Sequence, residues 1–416
     1  MGATRPFHLL AKPIGPLCNL DCAYCFYLEK AALYPDRHGL GDWAMSNEVL
    51  DTFVRSYITQ APGPVVSFAW QGGEPTLLGV EYFRNIVALQ ERYADGRPIE
   101  NALQTNGVLL DDAWCAFLRE HEFIVGISID GPRELHDRYR LDRGGRPTFD
   151  SVVRGIQLLQ QHDVTFNTLT VVHRNNAPYP HDIYGFLTDL GSRFLQFIPI
   201  VERIGHPHRG PGPALASPED PTAPVTPWSV RPDDYGTFLC SIFDRWVRHD
   251  VGRVAVQLFE VALESWLGLP QSLCLFRDTC GDALAVEHNG DVYSCDHYVY
   301  PTHRLGNILQ DPLGSLVSSP TQGRFGEAKR DTLPAYCRRC DVRFACHGEC
   351  PKNRFTVTPD GEPGLNYLCG AYKRFFSHVM PFMQVMAQKV RAGEPAADVM
   401  VWARAKDGEP SRGATP

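Results

Sequence analysis

From about residue 7 to residue 200 the chain alternates short apolar, β-branched runs with longer segments whose apolar residues recur at helical spacing, and few folds accept that alternation. Consecutive parallel strands need a crossover, and a helix long enough to cover the sheet supplies it. The runs predict strands over His8–Lys12, Val65–Trp70, Ala102–Thr105, Ile124–Ile129, Thr165–Val172 and Phe194–Ile198. Helices are predicted between them at Ser46–Ile58, Glu81–Tyr93, Asp112–Glu120, Phe149–His162 and His181–Leu190. Six such units in succession predict an α/β fold, a partial (β/α)6 TIM-like barrel.

The stretch His206–Trp228 is rich in Pro, Gly and Ala and has little periodicity, so an irregular loop is expected there, leading into a helix over Pro232–His249. Beyond Cys274 the chain is dense in cysteine and poor in long periodic segments, as where metal ligands replace part of an apolar core. A last helix is predicted at Tyr372–Arg391, before a polar tail expected to be disordered after about Lys406. The domain boundaries expected are 1–205 for the barrel, 206–270 for the loop and linking helices, 271–376 for the cysteine-rich domain, and 377–416 for the final helix and tail.

Composition narrows the function classes. A net charge of −8 gives no broad basic field for nucleic acid. The first residues lack the apolar core of a signal peptide, and no run of 18 apolar residues occurs, so a cytoplasmic protein is expected. In such a compartment the 13 cysteines point to metal or catalysis rather than disulfides.

Their spacing carries the chemistry. CNLDCAYCFY places Cys18, Cys22 and Cys25 in a C-x3-C-x2-C loop just after the first strand. Three thiolates on one loop can hold three irons of a 4Fe-4S cube and leave the fourth open to an external ligand. A zinc loop is the competing reading. With its strand context, the motif resembles the radical SAM superfamily, which implies a partial barrel with the cluster at the C-terminal ends of the strands. It also implies S-adenosylmethionine chelated by the open iron and cleaved to a 5′-deoxyadenosyl radical.

In QGGEP, two adjacent glycines allow close backbone approach, and the resemblance places Gly73 against the methionine moiety of the cofactor. GISIDGP and the following HDRYR put Ser128 and Arg140 near the barrel mouth. Similar positions in anaerobic sulfatase-maturating enzymes bind the cofactor, the serine through its hydroxyl and the arginine as a fork on a carboxylate. By the same resemblance Tyr24 and Leu195 line the adenine and ribose pocket; Leu195 taken alone reads as strand core. Asn106 in LQTNG is a weaker candidate at another strand end.

Cys274, Cys280 and Cys295, the run Cys337, Cys340, Cys346 and Cys350, and finally Cys369 supply eight more thiols, enough for two fully ligated cubes or for two zinc sites. Their order resembles the SPASM domain of radical SAM peptide-modifying enzymes, and most closely that of the sulfatase maturases. That resemblance implies a nearer auxiliary cluster on Cys274, Cys280, Cys295 and Cys350, and a farther one on Cys337, Cys340, Cys346 and Cys369, hence three 4Fe-4S clusters in all. It further makes Asp296, next to Cys295, the proton acceptor when a substrate Cys or Ser is oxidised to formylglycine. His297 beside it, and Cys115 and Cys240 on apolar helix faces, receive no role.

The resemblance runs from about Ala11 to Phe376 and implies an unfolded sulfatase segment as substrate, an electron donor such as flavodoxin or ferredoxin, and a monomer. The runner-up is a radical SAM maturase of a ribosomal peptide, forming a thioether or carbon–carbon crosslink. Such enzymes often carry an N-terminal recognition domain, for which a first cluster cysteine at residue 18 leaves no room. A non-catalytic electron carrier or zinc-stabilised binding protein would give the open three-cysteine loop no purpose.

Overall fold

The computed structural model describes residues 6–37, 39–207 and 211–406. Six parallel strands form the barrel wall: β1 (His8–Lys12), β2 (Val66–Trp70), β3 (Ile99–Thr105), β4 (Ile124–Ser128), β5 (Phe166–Val172) and β6 (Phe194–Pro199). Each bonds to the next in chain order. The helices between them are α1 (Asn47–Gln60), α2 (Val80–Tyr93), α3 (Asp112–Glu120), α4 (Phe149–Gln161) and α5 (Pro180–Asp189). Their starts are chemically marked: Ser46 accepts from the Val49 N–H at 3.3 Å and Asp111 from the Trp114 N–H at 2.8 Å, each using one orphan donor of a first turn. In α1 the residues Val49, Leu50, Phe53, Val54, Tyr57 and Ile58 bury one continuous stripe against the sheet.

The sheet does not stop at the barrel edge. β7 (Ala255–Val256) lies against β6, while β8 (Ala283–Glu287), β9 (Asp291–Tyr293) and β10 (Arg304–Asn307) continue it beyond β1, making ten strands. β8 runs parallel to β1 along its whole length, from His8↔Ala283 to Lys12↔Glu287. An exposed β1 would present a row of unpaired backbone groups, and the apolar β8 segment ALAVE covers it. The first strand of the barrel and the cysteine-rich region thus share one ladder.

Helix α6 (Pro232–His249) has the predicted bounds, whereas α8 (Cys369–Arg391) begins three residues before the predicted Tyr372. Together with α7 (Gln257–Leu267) they bury an aromatic cluster, with Phe243 edge-on to Phe259 at 5.2 Å and to Phe382 at 5.5 Å. The proline-rich segment is irregular apart from isolated bridges Arg203↔Val225 and Ile204↔Leu215. The expectation for the tail after Lys406 falls outside the described residues. Among the described residues no helix is long and apolar enough to cross a membrane.

Candidate active site

The C-terminal ends of the barrel strands open into a cavity of about 240 Å³. Cys18, Cys22, Tyr24, Cys25, Gly73, Ser128 and Arg140 all line it, so the fold brings together the first cysteine loop and four of the five residues assigned to the cofactor. Burial pushes the Cys22 thiol up to about 12 and raises Cys18 and Cys25 as well. Three thiols on one loop, Cys22 buried and Cys18 and Cys25 half-buried, all facing one cavity, are the donor set that an iron–sulfur cluster with one open iron needs.

The loop is held from below by Gly73 and Glu74. The Gly73 N–H donates to the Gly15 carbonyl at 2.7 Å and the Glu74 N–H to the Leu17 carbonyl at 2.9 Å. A Cβ on Gly73 would stand 1.9 Å from the Leu17 oxygen, which is why no side chain fits. Glu74, 1% exposed, accepts from the Thr76 and Thr105 hydroxyls at 2.6 and 2.7 Å and from the Asn106 N–H at 2.8 Å. Burial nevertheless raises its pKa. Asn106 in turn bonds Asn19 of the cysteine loop at 2.8 Å.

Arg140 is already engaged. Its Nε and one terminal nitrogen donate to the buried Asp130 carboxylate at 3.0 and 3.2 Å, and the Tyr24 hydroxyl donates to the same carboxylate. Burial alone would raise Asp130; the Arg140 guanidinium outweighs it and holds the carboxyl below its usual range. The fork expected to grip a ligand carboxylate thus fixes Tyr24 and Asp130. Asp130, which closes the apolar run of ISID, is a site residue that sequence reasoning missed.

Leu195 is a correction. It is 1% exposed, belongs to the apolar core and does not line the cavity. Strand periodicity gives the face on which a residue lies but not its depth, and Leu195 sits three residues before Ile198, roughly 10 Å below the mouth. The β6 end reaches the cavity through Ile198, Pro199, Ile200, Val201 and Glu202.

At the opposite wall Asp296 forms an ion pair with Lys12, the last residue of β1. Both are largely buried, Lys12 to 2% exposure, and Lys12 rather than Asp296 lines the cavity. Burial would raise the Asp296 pKa, but the Lys12 ammonium outweighs it and holds the carboxyl below its usual range. Lys12 also stands 4.5 Å over the Tyr27 ring. Its sequence signal was a lysine ending the buried run HLLAK. His297 lines the cavity with Nδ1 3.9 Å from the Cys350 Sγ, and burial lowers its pKa to about 4, so the ring is neutral. Glu202 and Lys352 pair across the same space.

The charges acting on the remaining thiols sort them into two sets. Apart from burial, Cys295 feels Cys350 and Cys274, and Cys280 feels Cys274. Cys346 feels Cys369 and Cys337, and Cys369 feels Cys337 and Cys340. The second four line one hollow. Among the described residues no three His, Cys, Asp or Glu side chains converge as one metal ion requires. Cys115 (0% exposed) and Cys240 (6%) belong to the core.

The Radical SAM superfamily matches residues 13–187, and an iron–sulfur cluster-binding domain, SPASM, matches residues 274–341. These domains imply 4Fe-4S clusters and S-adenosylmethionine. The chain is 45% identical to a serine-type anaerobic sulfatase-maturating enzyme of Bacteroides thetaiotaomicron, over 95% of each chain. It is 35% identical to a cysteine-type enzyme of Clostridium perfringens, over 93% of this chain and all of that one. Among solved structures, native anSMEcpe with bound AdoMet and the Kp18Cys peptide superposes with a TM-score of 0.80 at 34% identity, covering 92% of this chain and 99% of that one. Sharing barrel, cluster domain and nearly full length with these relatives, the chain belongs to the anaerobic sulfatase-maturating enzymes of the radical SAM superfamily.

Proposed function

We propose that this enzyme oxidises a Cys or Ser in an unfolded sulfatase segment to formylglycine, with Asp296 as the base. The observation that carries this reading is a carboxylate tethered beside Cys295 and kept ionised by a buried lysine that faces the cavity. When bound, S-adenosylmethionine supplies a 5′-deoxyadenosyl radical that takes one hydrogen atom from the substrate Cβ. Asp296 would accept the thiol or hydroxyl proton while the second electron passes to the auxiliary cluster that Cys274, Cys280, Cys295 and Cys350 would hold, which turns the CH2 carbon into a carbonyl or thiocarbonyl; on the cysteine route water then replaces the sulfur, which leaves as hydrogen sulfide. Lys12 holds the Asp296 carboxylate toward the cavity wall throughout.

Cys18, Cys22 and Cys25 hold the cluster that binds the cofactor. Cys274, Cys280, Cys295 and Cys350 hold the nearer auxiliary cluster, and Cys337, Cys340, Cys346 and Cys369 the farther one. Tyr24, Gly73 and Ser128 contact the cofactor, Arg140 does so through its remaining nitrogen, and Ile200 and Val201 take the place first given to Leu195. The enzyme works as a cytoplasmic monomer supplied with electrons by a flavodoxin or ferredoxin.

The test is anaerobic mass spectrometry of peptides bearing C-x-P-x-R or S-x-P-x-R, comparing wild type with Asp296→Asn. Wild type should form formylglycine together with 5′-deoxyadenosine. The variant should still cleave the cofactor but lose peptide oxidation by about 100-fold or more. Wild-type conversion by the variant removes Asp296 as base. Cofactor cleavage by wild type without any peptide product moves the substrate elsewhere.

A further inference from the structure

Two cations of the cysteine-rich domain lie inside the protein without a carboxylate against them. Lys329, on the helix Pro320–Asp331, is 0% exposed, and its ammonium donates to the Cys274 and Leu275 carbonyls at 2.5 and 2.8 Å. The half-buried Arg354 donates to the Gly348, His347, Glu349 and Lys329 carbonyls at 3.0, 3.0, 3.1 and 2.5 Å. Among the described residues neither the Lys329 ammonium nor the Arg354 guanidinium has a carboxylate oxygen within 4.0 Å. The buried Glu349 carboxylate accepts instead from the Asn353 and Asn366 amides at 3.1 and 2.5 Å.

An ammonium taken out of water needs a counter-charge. Burial by itself disfavours the Lys329 ammonium, and the groups that favour it are the Cys280, Cys350 and Cys274 thiolates. Its charge acts in turn on each of those thiols, which are three of the four assigned to the nearer auxiliary cluster. The Arg354 charge is favoured by Cys350 of that set, then by Glu349, and by Cys337 and Cys346 of the other set, so it serves both. Neither side chain lines the cavity that substrate and S-adenosylmethionine enter.

We propose that Lys329 is the counter-ion of the nearer auxiliary cluster and raises its reduction potential, with Arg354 adding charge shared by both clusters, so that the electron leaving the substrate is taken up. This rests on the ligand assignment and the oxidation given above. Four thiolates outweigh the charge of an oxidised cube, so the site is an anion, and one more electron adds one more negative charge. A fixed cation beside the thiolates stabilises the reduced form more than the oxidised one, which raises the potential. The substrate radical loses one electron as the cluster gains one; the proton goes to Asp296, and Lys329 exchanges none.

The experiment uses the full chain carrying Cys18→Ala/Cys22→Ala/Cys25→Ala, which leaves the two C-terminal clusters, and follows both by electron paramagnetic resonance in an anaerobic redox titration. Lys329→Gln, which keeps a donor for the carbonyls and removes the charge, should lower one midpoint potential by about 59 mV or more, a tenfold loss in the one-electron equilibrium constant. The other potential should stay where it was, and Lys329→Arg should restore the first at full iron content. With the first cysteine loop intact, Lys329→Gln should still cleave S-adenosylmethionine but form less formylglycine per 5′-deoxyadenosine. If Lys329→Gln loses iron, Lys329→Met carries the test; iron lost from both neutral variants and kept by Lys329→Arg shows the same need for charge. Potentials unmoved in an iron-replete neutral variant overturn the proposal, as does an equal fall, or loss of iron, in Lys329→Arg. Failure of the ligand assignment shows separately, as iron short of two clusters per chain before Lys329 is changed, and failure of the oxidation as absence of formylglycine from wild type.

Discussion

Side chains in this cavity are set by partners distant in sequence. Lys12 ends a strand of the barrel, Asp296 follows a cysteine of the cluster domain, and each makes the burial of the other tolerable. Tyr24, Asp130 and Arg140 form a second such set, drawn from a cysteine loop, a strand end and the segment after it. Leu195 shows the reverse, a residue whose role is packing. Leu195→Ala should cost about 2–5 kcal/mol of stability through the cavity it leaves. S-adenosylmethionine affinity should stay within about twofold, because no ligand at the strand ends reaches that depth. Thermal unfolding together with titration of the cofactor checks both halves. Weakened cofactor binding at unchanged stability would return Leu195 to the pocket.

Among the elements, the turn after β2 does the most for the site. Gly73 and Glu74 carry the backbone bonds that support the loop of Cys18, Cys22 and Cys25, and the Gly73 contact is with a backbone carbonyl that no rotamer change can move. Gly73→Ala should therefore displace the cysteine loop and leave the C-terminal thiols intact. Iron per chain should fall by about one third, the share of one cluster in three, with loss of the spectroscopic signal that responds to S-adenosylmethionine. Full iron and an unchanged cofactor-dependent signal would show that the loop tolerates the shift. The helices were legible because caps and apolar stripes are local: α3 and α6 have their predicted ends. Strands were legible to within a few residues for the same reason.

For the whole molecule, the ladder of β1 with β8 makes the barrel and the cluster domain one structural unit. It also carries Lys12 to the level of Glu287, nine residues before Asp296. A fragment ending at residue 270 would leave β1 as an unpaired edge and expose the face of α6 that packs on α8. It should aggregate or unfold at a temperature well below that of the full chain, which should melt in a single transition. A soluble fragment with native stability would show that the barrel stands alone.

The sequence by itself determined the parallel βα alternation, the open three-cysteine loop and the eight later thiols, because strand period, helix caps and ligand spacing are written over a few adjacent residues. It also supported the family through motifs in order along the chain. Only the tertiary structure decided that Lys12 faces Asp296, that Arg140 is bound by Asp130, that Leu195 lies below the mouth, and that Cys337, Cys340, Cys346 and Cys369 line one hollow. Those are matters of depth and of distance between segments. They follow from how the whole sheet closes, and a local pattern holds no record of that.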